Sequence, residues 1–129
     1  MQRITLQEVE EIIDRGVAEI AVHKHSLADA PAIAGRFLTR VAVLTDALRA
    51  LEEELPKHQT LENAQYATAI DTATGKNITE KKVQADASSM YRGAVEAKEI
   101  MDAQRSWVKN YIKIFENAHI MYRQYSRNE

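Results

Sequence analysis

The residues best able to do chemistry in this chain are its basic ones. Lys76, Lys81 and Lys82 cluster beside a turn, and Arg92, Lys98, Arg105, Lys109, Lys113 and Arg123 follow along the C-terminal third. Trp107 and Tyr111 lie among them. Cations that track a phosphate backbone, with aromatics available for stacking, are the general scheme for binding a single strand without sequence preference. The competing reading is a solvated helix face. Asp86, Glu96, Glu99, Asp102 and Glu116 interleave with the bases, and several stand three or four residues from one, where ion pairs form on a helix surface.

Other chemistries find fewer residues. Glu116 and His119 make a Glu-x-x-His pair, the spacing used by di-iron bundles, but those sites need two further glutamates and a second such pair, and the chain has no second pair. His23 and His25 read as solvated residues at a frayed helix end, and Glu52-Glu53-Glu54 as a solvated helix face. With no cysteine there is no thiolate nucleophile, thiolate metal site or disulfide. Gly75-Lys76 lacks the first glycine and the following hydroxyl of a phosphate-binding loop, and no Gly-x-Ser-x-Gly elbow is present. The expectation is a protein without catalysis and without a cofactor.

These residues must be positioned by helices. Glycine and proline are scarce, at 4 and 2 of 129 residues, and helix formers dominate, so the fold class is all-α in one domain. Thr5-Leu6-Gln7-Glu8 is a capping-box start, and Leu6, Val9, Ile13, Val17 and Ile20 mark one face of a helix over about 5–24. Pro31 suits a helix's first turn. Phe37, Val41, Leu44, Leu48, Leu51 and Leu55 form the seam of a second helix, 31–55, which Pro56 should end. A short helix over 60–71 and a turn-rich loop over 72–78 precede the last helix, 79–125, with Thr79 near its cap.

That last helix carries a heptad stripe. Val83, Ala87, Met90, Ala94, Ala97, Met101, Gln104, Val108, Tyr111, Phe115, Ala118, Tyr122 and Tyr125 alternate in steps of four and three. A second line, Gly93, Ile100, Trp107, Ile114 and Met121, runs beside it. A helix of about 46 residues spans roughly 69 Å, against roughly 36 Å for a compact globule of this length. The seam exceeds what a second helix of about 37 Å can cover, so a homo-oligomer is expected, with Trp107, Tyr111, Phe115, Tyr122 and Tyr125 at its interface.

The net charge of −2 is uneven: residues 1–80 hold 8 Lys and Arg against 13 Asp and Glu, and residues 81–129 hold 9 against 6. No run approaches the ~18 consecutive apolar residues of a membrane span, and the first residues lack a secretory apolar segment. A cytoplasmic protein with no membrane partner is the expectation.

The layout from Thr72-Ala73-Thr74-Gly75-Lys76 through Thr79-Glu80-Lys81-Lys82-Val83-Gln84-Ala85-Asp86 and Tyr91 to Met101-Asp102-Ala103-Gln104-Arg105-Ser106-Trp107-Val108-Lys109-Asn110-Tyr111-Ile112 resembles the UvsY-type phage recombination mediators. The resemblance covers about residues 64–125. It implies single-stranded DNA as ligand, a ring-like homo-oligomer, and partnership with a RecA-like recombinase and a single-strand-binding protein. By residue it points to Lys76, Lys81 and Lys82 at the turn and to Arg105 and Lys109 in the central motif. The alternative is a phage-encoded protein-interaction module: an inhibitor, adaptor or assembly chaperone.

Overall fold

The computed structural model describes residues 4–22 and 25–127. Four α-helices account for nearly all of them: α1 (Leu6–Ile20), α2 (Ala30–Thr72), α3 (Ile78–Asp86) and α4 (Ser89–Arg127), with a 3-10 turn at Leu27–Asp29 before α2. No strand occurs among the described residues. The helices form two compact units. The first takes in α1, the 3-10 turn, α2 up to Ala50 and α4 from Ser106; the second is Leu51–Arg105.

Local chemistry sets the helix starts. Thr5 caps α1, its Oγ1 accepting the Glu8 amide at 3.2 Å, as the capping-box pattern predicts. Ala21 closes α1, so the helix stops short of the expected residue 24; the fray foreseen at His23 and Lys24 falls outside the described residues. Ser26 Oγ accepts the Ala28 amide at 3.2 Å, and Pro31 then sits in the first turn of α2, where a missing N–H costs nothing. Asn77, rather than Thr79, caps α3 by accepting the Glu80 amide at 2.9 Å. The loop before it is laced to α3: Gln84 Oε1 accepts the amides of Thr74 and Gly75 at 2.9 and 3.2 Å, and Glu80 accepts that of Lys76 at 2.7 Å. A Cβ on Gly75 would come within 2.7 Å of Glu80 Cβ and 2.9 Å of the Lys81 amide nitrogen, so glycine fits where a side chain would not.

Two helix boundaries depart from the sequence reading. Pro56 does not end the second helix; α2 runs through it to Thr72, merging with the expected short helix. Proline in a helix interior strips Glu52 of its usual amide partner and costs about 3 kcal/mol. The stretch beyond it offsets that cost by packing on α4: Tyr66 meets Tyr91 with ring centroids 4.8 Å apart, and Glu62 pairs with Lys98. Conversely, the long C-terminal helix is broken at Ala87 and Ser88, between α3 and α4. Ser88 turns its carbonyl to the Arg92 amide, at 2.9 Å, and opens a new helix. On either side of the break Val83 and Met90 are 64% and 66% exposed, whereas Ala94, Val108, Phe115, Ala118 and Tyr122 of the same stripe are buried.

The core of the first unit is built from three helices. Phe37, Leu44, Val108 and Phe115 are fully buried there, and Ile33 is nearly so. Phe37 lies against Phe115 (centroids 5.4 Å) and stacks on Tyr122 (5.8 Å, planes 2° apart). Burying side chains of this size contributes roughly 1.5–3 kcal/mol each. Gly16 of α1 lets the Phe115 ring approach so closely that a Cβ would stand 2.3 Å from its Cζ. At the edge of this core Arg36 and Arg40 converge on Glu19, Arg36 Nη2 at 2.8 Å and Arg40 Nη1 at 2.7 Å, and the Arg40 guanidinium lies 4.8 Å from the Phe37 ring centroid. Burial pushes the Glu19 carboxyl up, but the hydrogen bonds and charges of the two arginines outweigh it and hold the group below the usual carboxylate range.

Candidate nucleic-acid interface

The cations singled out from sequence divide between the two units, and the division separates free ones from engaged ones. In the second unit, Lys98 Nζ lies 3.8 Å from Glu62 Oε2 and Arg105 Nε 3.5 Å from Glu52 Oε1. Arg105 Nε is buried and, at that distance, makes an ion pair without a hydrogen bond. Both side chains are half-buried against α2, so the structure withdraws Lys98 and Arg105 from the set of freely offered cations. Lys76, Lys82 and Arg92 are exposed and Lys81 half-buried, but they belong to a unit holding 7 Lys and Arg against 10 Asp and Glu. A polyanion approaching them meets a field of the wrong sign.

The first unit differs. Lys109 and Lys113 are exposed on α4, and so are Arg123 and Arg127 further along it. Residues 109, 113, 116, 120, 123 and 127 alternate in steps of four and three, which places them on one helix face. Glu116 is the only acid on that face, and Ile120, 52% exposed, is its only apolar residue. None of the four cations takes part in an ion pair among the described residues. Arg127 was not among the basic residues singled out from the sequence. The signal that finds it is the register of Lys109, Lys113 and Arg123 carried forward by four residues.

The expected aromatic company of the cations is not there. Trp107 and Tyr111 each stand two residues before a lysine, about 200° around the helix from it. They are half-buried and pack edge-on at 6.3 Å, with Tyr111 continuing onto Phe115 at 5.9 Å. They cannot serve as stacking platforms beside Lys109 and Lys113.

The interface expected for a second copy is likewise redistributed. Phe115 and Tyr122, at 0% and 4% exposure, are filled positions of the chain's own core, because α1 and α2 already cover them. Trp107 and Tyr111 are half-buried. Tyr125 is 45% exposed and joins the neighbouring row of Ile114 and Met121, exposed by 43% and 37%. Near the end of α4, Met121 and Tyr125 face Ile20, Val22 and Leu27 across an open groove of about 490 Å³. The segment 106–127 of α4 thus has three faces: one buried, one basic, one apolar and exposed.

His119 and His25 make structural contacts. His119 Nδ1 donates to the Ala34 carbonyl at 2.8 Å, tying α4 to α2. His25 is half-buried rather than solvated: it bonds the Glu19 carbonyl at 2.8 Å and meets Tyr122 edge-on at 5.3 Å. Among the described residues no group of three or more His, Cys, Asp and Glu is placed to hold a metal ion, and no helix is long and apolar enough to cross a membrane. Comparison with protein families, with curated proteins and with solved structures returns no match.

Proposed function

We propose that this protein is a non-enzymatic, sequence-tolerant single-stranded DNA-binding protein that works through the outer face of α4 between Lys109 and Arg127. One observation carries the reading: four exposed cations share a helix face with a single carboxylate, on a chain whose net charge is −2. Such a concentration of one sign costs self-repulsion unless something anionic relieves it. Counterion release makes the binding salt-dependent, and contacts to phosphates rather than base edges carry no sequence information. The role of recombination mediator, with a RecA-like recombinase and a single-strand-binding protein as partners, adds to this the resemblance of residues 64–125. The test is a fluorescence-anisotropy titration of an unstructured oligonucleotide at 50 mM salt; a well-folded sample that fails to bind removes the proposal.

A second surface supports assembly. Met121 and Tyr125 open onto the groove with Ile20, Val22 and Leu27, and Ile114 stands one heptad before Met121 on the same row; all six are exposed apolar side chains. Pairing this row with itself in a second copy would cover these side chains. A weak homo-oligomer multiplies the affinity for one strand by offering several basic faces at once. Use of the same patch by a different protein is the alternative reading of an interaction module. Light scattering separates them: self-association that Met121→Lys abolishes supports the homo-oligomer, and a concentration-independent monomer mass leaves the patch to a foreign partner.

A further inference from the structure

The basic face is not evenly basic. Lys109 and Lys113 form one pair and Arg123 and Arg127 another, each pair four residues and so about 6 Å apart along the axis. Arg123 follows Lys113 by ten positions, about 15 Å, and over that stretch the face offers only Glu116 and Ile120. Neighbouring phosphates of an extended single strand stand roughly 6–7 Å apart, each with one negative charge. Each cation pair therefore spans one internucleotide step. The gap spans about two, and over it Glu116 repels a phosphate while Ile120 presents bare apolar surface. A strand laid along this face does best by rolling at the gap, turning its phosphates outward and a base inward onto Ile120.

We infer that the outer face of α4 is a bipartite site for single-stranded DNA: two phosphate clamps, Lys109 with Lys113 and Arg123 with Arg127, on either side of a base seat at Ile120. The inference rests on the proposed function and adds to it a footprint of about five nucleotides, from the roughly 27 Å between Lys109 and Arg127, together with a reason to prefer single strands over duplex. A duplex offers the same phosphates, but its bases are paired and stacked inside and none can reach Ile120. Exposure of 52% also means that Ile120 holds little of the core, so it can be replaced without disturbing the bundle.

The test compares two 12-mers with identical phosphates, oligo-dT and a fully abasic strand, titrated against the full chain by anisotropy at 50 mM salt. Covering the open half of an isoleucine with a base should make dT bind about five-fold tighter than the abasic strand. Ile120→Ser should bring the two strands to equal affinity at the abasic level, and Ile120→Val should keep most of the difference, with circular dichroism reporting that both variants fold. Equal binding of the two strands by the wild-type chain, or a five-fold preference that survives in Ile120→Ser, overturns the base seat while leaving the polyanion reading standing. Absence of binding to either strand removes both.

Discussion

Neutralising half of the basic face gives the sharpest test of the proposed DNA contact. With four cations each displacing one counterion, the slope of log K against log salt for a single strand is about 0.7 per contact, or roughly −2.8 in total. Raising salt from 50 to 200 mM then weakens binding by about 50-fold. Lys113→Gln with Arg123→Gln removes one cation from each pair and should reduce the slope to roughly −1.4, so that the same change of salt costs only about seven-fold. Both positions are exposed and free of ion pairs among the described residues, so the bundle loses no contact, and glutamine is nearly as good a helix former as the residues it replaces. The matched control is Lys98→Gln with Arg105→Gln, which removes two cations already neutralised by Glu62 and Glu52. Anisotropy titrations at 50, 100 and 200 mM salt measure all three slopes. An unchanged slope in the first variant, or a slope halved by the control, refutes the assignment of contacts to residues 109–127.

Two further predictions concern the scaffold. Gly16→Ala should destabilise the protein by about 1–3 kcal/mol in a urea titration, although alanine is the better helix former, because its Cβ would stand 2.3 Å from Phe115 Cζ; an unchanged or higher midpoint contradicts the packing described. The Glu19 carboxyl, held down by Arg36 and Arg40, stabilises the fold above the pKa it has in the unfolded chain, about 4.3. That contribution is lost as pH falls through the lower folded-state value, and in Glu19→Gln the corresponding part of the acid-induced loss should vanish; identical acid profiles refute it.

What could be read from the sequence follows the range of the forces involved. The Thr5 cap, the place of Pro31, the loop before α3 and the Val108–Phe115–Tyr122 side of α4 are set within a few residues, and the sequence displays them. Pro56 misleads because its local cost is certain, while the packing that outweighs it comes from Tyr91 and Lys98, far along the chain. The break at Ala87 and Ser88 is hidden by a heptad pattern that runs through it without regard to capping. Lys98 and Arg105 looked free because Glu62 and Glu52 lie 36 and 53 residues away, beyond any i,i+4 inspection. Most of the basic face was visible: Lys109, Lys113 and Arg123 set its register, and carrying that register to Arg127 needed no structure.

The three faces of α4 also constrain how this segment can change. Core, cations and apolar row are cut from one continuous helix, so they share a single angular phase. Inserting or deleting one residue between Phe115 and Tyr122 rotates everything beyond it by about 100°. Tyr122 would leave its place on Phe37, Arg123 and Arg127 would leave the line of Lys109 and Lys113, and Tyr125 would leave the row of Ile114, all in one event. Substitutions can tune each face separately, but length changes within this stretch are nearly silent only in steps of seven, which restore the phase to within about 20°. Descendants of this chain should therefore hold the number of residues from Lys109 to Arg127 fixed, whatever substitutions they accept on the faces not used for binding.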